Sequence, residues 1–339
     1  MSFWSVESIK SALGATFFVR AASLGPVERV SIDSRTTGSG SVFIAIKGEK
    51  TDGHGFLAQA VAGGATLLIV HDTAAVSRVT LPPSVSVLQV QETGAALLKL
   101  AAAYRRTLET TRVIAVGGSN GKTTTCKLLQ GVLASQFRGT ASPKSFNNAI
   151  GVPLTILSAR RGDQYLICEV GTNSPGEIAP LAAVIEPDIA VITSIGREHL
   201  EGLGSISGVI AEEATLLSSL RPGGTAVVTA ECPELLDVVK PMVQRRTMAG
   251  VKGCTLLTFG RAAGADLRVA DIAVAADSTT FTINQRERYS VLLPGAHNAC
   301  NAAAVIAVAR RMGMTQSDIE RALAAATGPD MRMQRSSIA

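Results

Sequence analysis

Residues 117–125 read GGSNGKTTT and form the strongest chemical signal in the chain. An aliphatic run, Arg112–Val116, precedes them. The segment TTTCKLLQGVLASQF follows and sets Leu128, Leu129, Val132 and Leu133 on one side of a helix. A glycine-rich turn between strand and helix aims backbone N–H groups inward, and the helix N-terminus adds partial positive charge, so the segment suits phosphate. Lys122 is placed to reach β- and γ-phosphates, and the Thr123 hydroxyl to ligate Mg²⁺. The common spacing asks for glycine at position 116, where this chain has Val116. Gly117, Gly118, Ser119, Asn120 and Gly121 are therefore the core of a variant nucleotide loop.

Four further groups could join it. Glu169 lies near the carboxyl end of the run YLICEV, which GTNSPGE follows; a carboxylate at a strand's carboxyl end can hold Mg²⁺ or stand solvated. His199 lies in SIGREHLEGLG, directly after the strand DIAVIT, on the side where ligands meet an open α/β sheet. Asn298 and Asn301, in LPGAHNACNAAA, sit about one helical turn apart. They can bond a base or ribose, and taken alone they read as helix capping. Near the amino end, DSR at 33–35 and KGEKTDGH at 47–54 each flank an aliphatic strand; ordinary turn chemistry with surface charge accounts for both.

The elements that must position these groups fall into differing textures. Residues 1–108 open with a helix bearing Val6, Ile9 and Leu13 on one face, with Gly14 as its stop. Short strands and helices follow, among them SVFIAIKG and ATLLIV, and predict a small α/β domain. Residues 109–327 alternate aliphatic strands with helices, which predicts a doubly wound, mostly parallel sheet. Within them, 267–293 alternates apolar and polar residues and reads as an antiparallel annex. Helices are expected near 298–312 and 316–326, the second capped by Thr315. Residues 328–339 carry no such pattern and read as a stub.

Composition narrows the function classes. Of 339 residues, 46% are hydrophobic and 17% charged, which excludes a disordered chain, and with only 4% aromatic residues the cores must be aliphatic. No window approaches the roughly 18 consecutive apolar residues of a membrane span. No secretory leader is visible, so a cytoplasmic, non-membrane protein is expected. The net charge of +5 is scattered, which suits small phosphorylated ligands and gives no sign of nucleic-acid binding. The five cysteines, Cys126, Cys168, Cys232, Cys254 and Cys300, show no ligand spacing and read as reduced, mostly buried thiols.

Taken together, these residues resemble the Mur ligase family, in its MurF-type branch. The segments that carry the resemblance are DSR…GSVFIAIKGEKTDGHGF, GGSNGKTTT, SFNNAIGVPLTIL, EVGTNSPGEIA, IGREHLEGLGS and LPGAHNACNAAA, in family order. The resemblance implies an ATP- and Mg²⁺-dependent ligase of peptidoglycan precursor synthesis, acting as a monomer. Its substrates would be UDP-MurNAc-tripeptide and D-Ala-D-Ala, joined through an acyl phosphate. It implies that Lys122 and the loop amides hold phosphates, that Thr123 and Glu169 hold one Mg²⁺, and that His199 holds a second. Asn298 and Asn301 would approach the adenine. Asn147 and Asn148 would lie near the acyl acceptor, and Ser34, Arg35 and Lys47 near the UDP end.

Two departures from the family pattern stand out. Where the family carries a carbamylated lysine, this chain has Glu213, whose carboxylate is expected to serve as the metal-site anion; Glu212 is one residue out of register. The family's third, Rossmann-like domain, with its Asp-x-Tyr-Asn-Ala-Asn-Pro segment, is not found, so a truncated chain with weak ligation is expected. Those departures keep open a non-catalytic UDP-sugar- or nucleotide-binding regulator. A MurE-like or folylpolyglutamate synthetase-like ligase is disfavoured by SFNNAIGVPLTIL, and a generic P-loop kinase or GTPase leaves the Glu169 and His199 loops without a role.

Overall fold

The computed structural model describes residues 4–25, 27–143, 145–196, 200–248 and 253–328. His199, singled out above, lies outside them. The chain forms two compact units: one takes in the residues up to Glu109 together with Ala149–Ser158, and the other takes Thr110–Asn148 and the residues from Ala159 onward.

The first unit is built on a five-stranded sheet. Its strands are β1 (Thr16–Val19), β2 (Arg29–Ser31), β3 (Ser41–Ile44), β4 (Ala65–Val70) and β5 (Ser86–Gln89), in the order β1-β5-β4-β3-β2. β2 to β5 are parallel and β1 closes the edge antiparallel. β3 is buried along its whole length, as expected of a parallel strand covered on both faces. The opening helix, Val6–Leu13, buries Val6, Ile9 and Leu13 and ends at Gly14 in the left-handed region, as its sequence predicts. The helix Gly151–Ser158 packs on the helix Thr93–Arg106, although the second-unit stretch Thr110–Asn148 precedes it in the chain. Its apolar residues on every face (Val152, Pro153, Ile156 and Leu157 are all buried) explain why it needs a surrounding core.

The second unit holds β6 (Arg112–Gly117), β7 (Gly139–Ala141), β8 (Tyr165–Glu169), β9 (Ile189–Ile192), β10 (Thr225–Thr229), β11 (Thr255–Gly260), β12 (Leu267–Val274), β13 (Thr279–Ile283) and β14 (Glu287–Val291). They form one sheet in the order β14-β13-β12-β11-β10-β9-β6-β8-β7. Neighbours from β7 through β12 are parallel. β12, β13 and β14 are antiparallel, which is the expected annex. The fold class read from the sequence is therefore observed; β1 and β7, three or four residues each, carry too short a pattern to have been read.

Helices cover both faces. Ile114 and Val116 face one core with Leu128, Leu129, Val132 and Leu133 from the helix Lys122–Ala134 and with apolar residues of the helix Ala296–Arg311. Val113 and Ala115 alternate with them and are equally buried, so β6 is covered on its other face too. After β6 the chain passes to β7 and β8 on one side and later returns to β9 on the other. The turn after β6 thus lies at the point where the strand order reverses, the place where open α/β sheets bind ligands. Thr315 caps the helix Gln316–Ala325 by accepting from the Asp318 N–H, as expected. Among the described residues no helix is long and apolar enough to cross a membrane.

Leu129 is fully buried in the core beneath the helix that starts at Lys122. Leu129→Ala is expected to destabilise the second unit by about 3 kcal/mol, read as a lower denaturation midpoint, because the cavity left behind cannot collapse between sheet and helix.

Candidate functional site

The turn after β6 is held from behind by the segment that follows β9. The Ser119 N–H donates to the Ser194 carbonyl at 2.8 Å, and the Asn120 N–H to Ser194 Oγ at 2.9 Å. Thr193 Oγ1 donates to the Gly117 carbonyl at 2.9 Å and to the Asn120 carbonyl at 2.6 Å. Gly118 has φ +113°, and a Cβ there would lie 2.4 Å from Thr193 Oγ1, so only glycine permits this approach. The helix opens at Lys122 behind Gly121, so the N–H groups of residues 122–124 have no acceptor within it. Those amides are the ones left to receive an anion. The Lys122 ammonium folds back and donates to the Gly118 and Ser119 carbonyls at 2.6 and 2.8 Å.

Glu169 is 1% exposed at the carboxyl end of β8. Its Oε1 accepts from Thr123 Oγ1 and from Asn147 Nδ2, both at 3.1 Å. With Lys122 and Ser145, these groups line a cavity of about 210 Å³. The arrangement fits Mg²⁺, a hard ion that takes oxygen donors, needs few carboxylates and shares its remaining positions with phosphate and water. Among the described residues no cluster of three or more His, Cys, Asp or Glu side chains is placed to hold a metal by itself. Asn148, beside Asn147, is exposed.

Glu213 is 2% exposed, and its Oε2 accepts the Gly118 N–H at 2.7 Å. Burial pushes its pKa up to about 7, against the lowering effects of Lys122 and of the Gly118 hydrogen bond. The carboxylate thus engages the peptide of the phosphate loop, while the oxygens of Thr123 and Glu169 meet each other. Its neighbour Glu212, set aside in the sequence reading, accepts the Gly176 and Ile178 N–H groups, each at 2.8 Å.

A second cavity of the same unit, about 680 Å³, extends from Asn120 and Gly121 past Glu231, Arg261 and His297 to Asn298 and Asn301. Neither asparagine caps its helix. The N-cap position is Gly295, Asn298 donates to the Pro294 carbonyl at 2.9 Å, and Asn301 donates to Asn298 Oδ1 at 3.1 Å. The capping reading is therefore replaced: the pair lies inside the helix, bonded together, and lines the cavity. Glu231 bonds the Ala262 N–H at 3.3 Å and also the Arg261 N–H, joining the carboxyl ends of β10 and β11. Sequence reasoning missed it; its position directly after a parallel strand was the available signal. Cys126 and Cys168 are buried, but Cys232, Cys254 and Cys300 are only half-buried, fewer buried thiols than expected. Burial raises the Cys300 pKa to about 11, which keeps that thiol protonated.

In the first unit, Ser34 and Arg35 form a 3₁₀ turn after β2, and Lys47 follows β3, so the three arise from one rim of the parallel pair. Ser34 is buried and donates to Gln59 Oε1 at 2.9 Å; Arg35 is exposed and paired with Asp33 at 2.7 Å. That guanidinium holds the Asp33 carboxyl down to about 2. His54, within the KGEKTDGH cluster, is buried; its Nε2 accepts from the His71 and Asp72 N–H groups, so Nδ1 carries the proton and donates to Asp52 at 2.7 Å. A cavity of about 660 Å³ opens beside His71, Gln89 and Lys99, and Ser34, Arg35 and Lys47 do not line it.

The raised pKa of Glu213 has a measurable consequence. The native protein retains this proton up to about pH 7, whereas the unfolded chain releases it near 4.5. Stability from this group is therefore present below about pH 4.5 and is lost as pH rises through 7. In metal-free protein, Glu213→Gln is expected to be more stable than the parent above pH 7, by on the order of 3 kcal/mol, with the difference vanishing below pH 5. Paired urea titrations across that range measure it.

Comparison with known proteins agrees with this architecture. The Mur ligase middle domain matches residues 116–309, and the Mur ligase family catalytic domain matches residues 26–105. A UDP-N-acetylmuramoyl-tripeptide–D-alanyl-D-alanine ligase of Bacillus subtilis is 32% identical over 310 residues, 91% of this chain and 64% of that protein. The Haemophilus influenzae enzyme of the same name is 33% identical, over 88% of this chain and 62% of that protein. The chain thus spans less than two thirds of the length of these relatives. The crystal structure of MurF from Acinetobacter baumannii superposes with a TM-score of 0.86 at 28% identity, covering 99% of this chain and 71% of that one. MurF ligase from Thermotoga maritima, solved in complex with ADP, gives 0.74 at 26% identity, covering 89% of this chain and 67% of that one. With both units matched and the middle-domain model spanning more than half its length, the chain belongs to the Mur ligase family.

Proposed function

We propose that this chain carries the nucleotide and acyl-phosphate chemistry of a MurF-type ligase, which joins D-Ala-D-Ala to UDP-MurNAc-tripeptide in the cytoplasm. One observation carries the reading: Thr123, Asn147 and Glu169 converge beside Lys122 at the helix N-terminus, in a chain whose relatives bear that enzyme's name. The nucleotide is ATP, and its adenine occupies the cavity lined by Asn298 and Asn301. Asn120, Gly121 and the amides of residues 122–124 bind the phosphates. Lys122 exchanges its two carbonyl partners for phosphate oxygens, so each hydrogen bond given up is replaced by one to an anion. Thr123 and Glu169 would hold Mg²⁺, with His199 at a second position, and the ion would supply charge neutralisation for phosphoryl transfer. Ser34, Arg35 and Lys47 take the UDP end of the precursor.

The chemistry asked of these residues is positioning and charge neutralisation. The terminal carboxylate of the tripeptide attacks the γ-phosphorus, and ADP leaves. The amine of D-Ala-D-Ala then adds to the acyl phosphate, loses a proton and expels phosphate as the amide forms. Asn147, which donates to Glu169, orients the acyl oxygen between the two steps. The matched part covers 64% of the Bacillus subtilis relative.

Phosphate release is measured with each of ATP, UDP-MurNAc-tripeptide and D-Ala-D-Ala omitted in turn, and the product is identified by mass. Turnover that requires all three supports the assignment. Turnover indifferent to D-Ala-D-Ala but dependent on a free amino acid overturns it in favour of another ligase of the family. Lys122→Ala is expected to weaken ADP binding about 100-fold, roughly 2.7 kcal/mol, by calorimetric titration.

A further inference from the structure

The helix Ile206–Ala214 carries two consecutive buried glutamates that serve different loops. Successive helical residues point about 100° apart, so neighbouring side chains can reach opposite flanks. Glu213 takes the Gly118 N–H of the phosphate loop. Glu212 takes the Gly176 and Ile178 N–H groups, where the segment following Glu169 enters the helix Ile178–Ile185. That helix has no side-chain cap of its own, so Glu212 supplies from a distance what an N-cap residue would supply locally.

We infer that Glu212 and Glu213 are positioning residues: one carboxylate sets the Gly118 peptide of the phosphate loop, the next sets the loop that follows Glu169, and one helix keeps the two in register. The inference rests on the nucleotide reading of that loop. Gly118 is held on both sides, its N–H by Glu213 and its carbonyl by Lys122. A Cβ on Gly117 would lie 2.9 Å from Glu213 Oε2 and 3.0 Å from a Leu216 methyl, so the glycine pair is what lets the carboxylate reach the peptide. Glu213 therefore works through the loop backbone, not as a metal ligand.

The two roles are separable by calorimetric titration of ADP, with Mg²⁺ and with a chelator, alongside hydrogen exchange at the Gly118 amide. The Glu213→Gln amide oxygen can still accept the Gly118 N–H, and ADP affinity is expected to stay within about threefold of the parent in both conditions. Glu213→Ala removes the acceptor and Glu213→Asp falls short of it. Both are expected to weaken ADP about tenfold with or without Mg²⁺ and to speed Gly118 exchange at least about tenfold. Glu212→Ala should instead speed exchange at Gly176 and Ile178. Glu213→Gln as impaired as Glu213→Ala, and only when Mg²⁺ is present, marks a metal ligand and overturns the inference. Unchanged Gly118 exchange in both Glu213→Ala and Glu213→Asp also overturns it. If the parent binds no ADP, the nucleotide reading fails, while exchange at Gly118 still decides the brace.

Discussion

Between β6 and the helix at Lys122 the backbone leaves a ladder and has not yet entered a helix, and its peptide groups are packed against protein. Buried N–H and C=O groups must find partners or cost the fold a kilocalorie or more each. Here the partners come from elements distant in sequence: Thr193 and Ser194 after β9, and Glu213 from the helix beyond. Once Gly118, Ser119 and Asn120 are satisfied from behind, the amides of residues 122–124 remain for a ligand. The shape of the site follows from that division of hydrogen bonds.

The strand order provides the geometry. β6 lies between β8 and β9, so the carboxyl ends of both neighbours flank its turn. β8 delivers Glu169 on one side and β9 delivers Thr193 on the other. Neither could be placed by a local rule. Electrostatics then act on a rigid frame: the Lys122 ammonium lies close enough to oppose the rise that burial imposes on Glu213, and the loop peptide lies between them.

Much of this was legible in the residues. Aliphatic runs of four to six residues, alternating with helices, predict the parallel sheet, because strands buried on both faces need no polar alternation. The change to alternation after 267 marks the antiparallel annex, one face of which meets solvent. Gly-Lys-Thr between strand and helix identifies the loop. The helix Gly151–Ser158 was harder to place, since uniform apolarity says that it is buried but not against what. Asn298 and Asn301 were legible as polar residues near a helix start. That they bond each other inside the helix and face a cavity depends on Gly295 taking the cap position.

The sequence by itself determined the alternation of elements, the phosphate loop and the charge types available to it, because these depend on neighbours a few residues apart. The tertiary structure decided which carboxylate does what. Glu169, Glu212 and Glu213 are the same side chain at similar burial, and no spacing rule separates them. Their roles differ because the sheet brings Thr123 and Asn147 to the first, the N–H groups of a following helix to the second, and the Gly118 peptide to the third. Those contacts span up to 95 residues, a distance over which only packing carries information.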